Sequence, residues 1–80
     1  MTSLQEQDGQ VFAWLETSGK DIPTKALKEG EEVDGGPLYI GRAQHAGGLV
    51  PGKVIPSVSC CFIPHGGREH YKEKYEVMSN

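Results

Sequence analysis

The chain of 80 residues predicts a small all-β domain of antiparallel strands, and three observations carry that expectation. Its 11 glycines and 5 prolines are too many breakers for a helical bundle. The apolar residues fall in short runs rich in Val, Ile and aromatics, bounded by Gly, Pro, Asp and Ser rather than repeating at helical spacing. With 36% hydrophobic and 24% charged residues, the composition is still that of a chain that folds. A domain this small buries a modest share of its surface, so oligomerisation is expected to add stability.

Residues 1–9 are polar and unpatterned, and are expected to form a flexible lead into a single domain over residues 10–80. Residues 11–17 have strand composition, with Trp14 as the core anchor. A turn at Ser18-Gly19-Lys20-Asp21 precedes an extended segment from Ile22-Pro23 to Ala26-Leu27. A rival reading caps a helical turn with Thr24, but Gly30 ends it too soon for propensity to sustain it. The acidic residues 29–36 read as a loop with a tight turn at Asp34-Gly35.

Residues 38–43 alternate as a strand that sets Arg42 on the face of Leu38 and Ile40, a conflict that a bulge at Gly41 would relieve. After a turn at His45-Ala46-Gly47-Gly48, residues 49–55 form a strand in which Pro51 argues for a sheet edge or a strand start. Residues 58–63 are the most strand-like run, and period two predicts one of Cys60 and Cys61 inside and the other outside. Residues 64–68 close it as a turn, and residues 75–78 form the last strand.

Several function classes are excluded. A net charge of −3 with scattered Lys and Arg gives no footprint for a phosphodiester backbone, so no nucleic-acid partner is expected. Apolar runs such as Cys60-Cys61-Phe62-Ile63 are far short of the roughly 20 residues of a membrane span. The polar start lacks a signal peptide's basic and apolar regions, so a cytoplasmic protein is expected, with an unconventional route if it leaves the cell. Residues 47–53 imitate a P-loop, yet Val54 replaces the required Ser or Thr and Pro51 removes a backbone donor. The adjacent cysteines match no zinc spacing although His65 and His70 lie nearby, and no metal or cofactor is expected. No nucleophile elbow and no fixed carboxylate pair is present, so the chain is expected not to be an enzyme.

The order Trp14, Ile22-Pro23, Pro37-Leu38-Tyr39-Ile40-Gly41-Arg42-Ala43, His45, Pro51-Gly52-Lys53-Val54, Phe62-Ile63-Pro64, Gly66-Gly67 and Tyr75-Glu76-Val77 resembles the DM-nine repeat family of invertebrate and natterin-like proteins. The resemblance runs from about Val11 to Met78. It implies an all-β module found as a tandem pair, and in the lectin members a mannose-binding activity suited to microbial pattern recognition. This chain carries one repeat, so a homodimer would supply the second copy. The resemblance implies that Lys53 and an acid of the preceding loop, either Glu32 or Asp34, hold the sugar.

The chemistry suits that expectation. Vicinal hydroxyls both donate and accept, so a carboxylate and an ammonium a few ångströms apart can hold them. The plainer reading makes Glu32 and Lys53 solvated surface groups. Arg42 offers a planar fork to a ligand or to a structural carboxylate, Glu69 or Glu76, and His45 lies in a turn beside the expected site. Tyr39 and Tyr75 suit either the core or a sugar face. Two rivals remain: a protein-interaction or structural β module without sugar binding, and a calcium-dependent lectin using Glu31, Glu32 and Asp34, whose loop lacks spaced oxygen ligands.

Overall fold

Runs of β-branched and aromatic residues between glycine turns fold into one antiparallel sheet of eight strands. The structure, a computed structural model, describes residues 4–7 and 10–80, with side chains from residue 11 onward. The strands are β1 (Leu4–Gln7), β2 (Gln10–Ser18), β3 (Lys28–Glu31), β4 (Pro37–His45), β5 (Gly48–Ile55), β6 (Cys60–His65), β7 (Arg68–Lys72) and β8 (Lys74–Ser79). Their spatial order is β1-β2-β8-β4-β5-β6-β7, and β3 pairs with β4. The all-β expectation holds. Of the expected lead segment, residues 1–3 and 8–9 lie outside the described residues, while Leu4–Gln7 pairs with β2.

Two hairpins follow directly from sequence. Ala46 and Gly47 (φ 51° and 84°) join β4 to β5, and Gly66 and Gly67 (φ 61° and 74°) join β6 to β7. Paired positive φ values are the mark of the two-residue turns whose twist matches the flanking strands.

Register sorts the side chains onto two faces. Ala43, Val54, Cys61, Ile63, Tyr75 and Val77 form a buried cluster on one. Phe12, Trp14 and Met78 form a second on the other, because Trp14 pairs with Met78 while its neighbour Leu15 pairs with Val77. Burying residues such as Val54, Ile63 and Val77 contributes about 1.5–3 kcal/mol each. A Cβ at Gly52 would stand 2.1 Å from the carbonyl oxygen of Phe62, so only glycine lets the β6 backbone pass this close to β5. β6 also lies against β4 and β8, and its Cys61 and Ile63 complete the larger cluster. That cluster's side is called here the inner face, and the side of Trp14 the outer face.

Several expectations are corrected. The segment 22–27 is not a strand and holds no helical turn: a turn closes from the N–H of Ala26 to the C=O of Pro23 at 3.0 Å, and Leu27 then bonds both β8 and β4 through Met78 (2.8 Å) and Ile40 (3.1 Å). Residues 28–31 are strand because the unfilled first half of the β4 edge offers them backbone partners, leaving residues 32–36 as the loop. The register runs unbroken through Gly41, and the irregularity lies instead in β3 between Lys28 and Gly30. Gly41 is required for packing, since a Cβ there would meet Val54 Cγ2 at 2.6 Å.

Pro51 lies inside an interior strand. It stands beyond the last β5–β6 pair, Lys53 with Phe62, so its missing N–H removes no bond from that ladder. Residues 56–58 form a 3-10 turn with Ser59 at φ 56°, which delays β6 to Cys60. Cys60 and Cys61 are both buried and both free thiols. The expected turn over residues 64–68 narrows to Gly66-Gly67, and Arg68–Lys72 forms a strand that the sequence reading lacked.

Candidate functional site

The loop between β3 and β4 is a tight knot. Gly35 (φ 91°) donates its N–H to the C=O of Glu32 at 2.9 Å, Glu32 donates its own to Gly36 at 2.7 Å, and Gly36 donates to Asp34 Oδ1 at 3.0 Å. Both acids gather at Gly36, where a Cβ would lie 2.7 Å from Glu32 Oε2 and 3.3 Å from Asp34 Oδ1. The sequence left Glu32 and Asp34 as alternatives; the fold brings the two together.

Ser57 Oγ donates to Glu32, at 3.1 Å from Oε1 and 2.9 Å from Oε2. That serine lies four positions after Lys53, in the turn that leaves β5. The acidic loop is therefore docked on the chain segment that carries Lys53.

Lys53 is exposed and faces outward. Its register neighbours are Ile40 on β4 and Phe62 on β6, and Phe62 in turn pairs with Tyr71 on β7. Phe62 and Tyr71 meet edge to face with ring centroids 5.1 Å apart, and Tyr71 is 63% exposed. Among the described residues the Lys53 ammonium makes no hydrogen bond or ion pair. An ammonium with free donors beside an exposed aromatic ring can bind hydroxyls and pack against an apolar sugar face.

Other expected site residues are engaged elsewhere. Arg42 donates from Nε to Glu76 Oε1 at 2.5 Å and lays its guanidinium 4.2 Å from the Trp14 ring centroid. It borders an outer-face cleft of about 730 Å³, shared with Glu16, Gln44, Leu49 and Lys74, where β4 and β8 diverge beyond their last pair. Tyr75 is buried, its hydroxyl donating to the Gly19 carbonyl, and the half-buried Tyr39 packs against the inner cluster. His45 faces inward at the end of β4, against His65 and His70. Partial burial, followed by His70, Lys72 and His65, holds its imidazole below the usual value.

Two groupings escaped sequence reasoning. The Phe62–Tyr71 pair depends on β7, and residues 68–72 show no apolar alternation that would mark a strand. The three histidines come from two separate hairpins, and no spacing rule joins them.

The fold and site define a small antiparallel β module presenting an acidic loop and a free lysine beside an aromatic pair. The chain belongs to the DM9 repeat family, whose profile matches residues 2–72. That family is known generally as a carbohydrate-binding module. No curated protein matches the chain.

Proposed function

We propose that this protein is a non-enzymatic lectin module for mannose-type glycans, with Lys53 as the principal donor and the Glu32–Asp34 loop as the acceptor. The observation that carries this reading is Lys53 itself, exposed, its ammonium without a partner among the described residues and next to Phe62 in register. Ligand hydroxyls would replace water around Lys53 without breaking an internal bond, and Tyr71 would cover an apolar sugar face. The carboxylates supply acceptor-only oxygens, and their contacts with Ser57 and Gly36 fix the loop before ligand arrives.

One shallow site binds weakly. Pairing two copies would raise retention on a polyvalent microbial surface by about 10²–10⁴-fold, which is the role assigned to a homodimer. The test is retention on mannan beads of wild type against Lys53→Ala, with circular dichroism and sedimentation run in parallel. Loss of retention by a folded variant supports the lectin. Wild type that is retained by no glycan on an array overturns it in favour of a protein-interaction module.

A further inference from the structure

The inner face carries a second grouping, separate from the outward Lys53. His45 ends β4, His65 ends β6 and His70 lies within β7. Register places all three on the inner face: His45 two positions beyond Ala43, His65 two beyond Ile63, and His70 opposite Ile63. The fold-back of β6 brings the hairpin ends together. Ring centroids stand 4.7 Å apart for His45 and His65, 4.1 Å for His45 and His70, and 6.2 Å for His65 and His70. One nitrogen from each ring lies within 4.8 Å of the others.

We propose that His45, His65 and His70 form a three-imidazole site for a divalent transition-metal ion of the zinc or copper class, with remaining positions open to solvent. Tetrahedral bonds of about 2.0–2.1 Å place neighbouring nitrogens about 3.4 Å apart. Partly exposed rings on fixed backbones reach that spacing by side-chain rotation over a distance on the order of 1.5 Å. The Nε2 of His70 lies 3.2 Å from the His65 carbonyl, and donation of its proton there would leave Nδ1 to bind the ion.

Ligand type sets the selectivity. Three imidazoles without a carboxylate favour zinc or copper over calcium and magnesium, which demand oxygen. Register places the cationic Lys72 and Arg68 on the same face, and among the described residues no acid joins the set. The neighbouring positive charge weakens cation binding.

The experiment uses the untagged chain. Zinc chloride is titrated calorimetrically into wild type, His65→Ala and His45→Ala, and cobalt spectra are recorded for the same proteins. The proposal expects saturable binding of one zinc ion per chain, weakened in both variants by more than the roughly 10–100-fold typical of a lost supporting residue. Cobalt should show tetrahedral ligand-field bands without a sulfur charge-transfer band, which excludes Cys60 and Cys61 as ligands. Should a variant fail to fold, the imidazole nitrogen resonances of wild type decide, with zinc shifting all three rings together. Absence of saturable zinc binding, equal binding by the folded variants, a thiolate band, or displacement by equimolar calcium would overturn the site.

Discussion

Arg42 and Glu76 are the last register pair between β4 and β8, and their side chains close the same junction on the outer face, Nε to Oε1 at 2.5 Å. The guanidinium also covers Trp14. One residue thus links the sheet's central pairing to its outer cluster. Arg42→Leu leaves the largely buried Glu76 carboxylate without its partner and should cost about 3 kcal/mol in urea denaturation. Pairing it with Glu76→Gln should recover part of that loss, and strictly additive effects would refute the coupling.

Glycine substitutions should divide sharply by position. Gly52→Ala drives a Cβ into the Phe62 carbonyl at 2.1 Å and should abolish folding or cost more than about 3 kcal/mol. Gly48→Ala meets nothing within 4 Å, and its thermal midpoint should stay near that of wild type. Equal midpoints for the two variants would refute the close crossing of β6 over β5.

Stability should fall on the alkaline side. Burial, then the neighbouring Cys60, pushes the Cys61 thiol from 9.0 up to about 12, and burial raises Cys60 as well. Burial likewise lifts Tyr75 from 10.0 to about 12. The folded state therefore favours the protonated forms. Their contribution is complete below the unfolded pKa of the thiols, 9.0, and is lost as pH rises toward about 12. Urea midpoints should decline from about pH 9.0 upward, and less steeply in Cys61→Ala, whose lower baseline reflects the lost packing. A flat wild-type profile would contradict the burial of these groups.

Tyr71 and Ser57 separate contact from support at the glycan site. Tyr71→Ala removes an exposed ring and should weaken mannan retention about tenfold while leaving the thermal midpoint nearly unchanged. Ser57→Ala frees the Glu32 carboxylate and should weaken retention less. Unchanged retention in Tyr71→Ala would remove the aromatic pair from the site.

Legibility in the sequence followed the range of the forces involved. The hairpin turns were readable because Ala46-Gly47 and Gly66-Gly67 act through local backbone preference. Arg42 was expected to reach Glu69 or Glu76, and finding Glu76 opposite it required the β4–β8 register. β3 was hidden in an acidic run because its strand character comes from the open β4 edge rather than from its own side chains. Alternation placed one of Cys60 and Cys61 outside, yet the fold buries both.

By itself the sequence determined the all-β class and the family, because glycine, proline and alternation act over a few positions. Only the tertiary structure decided which of those residues meet. The close approach of β6 at Gly52 sets it against β4, and that long-range crossing gathers histidines from two hairpins while leaving Lys53 beside Phe62 on the opposite face. Such encounters arise from the path of the whole backbone, which no local pattern encodes.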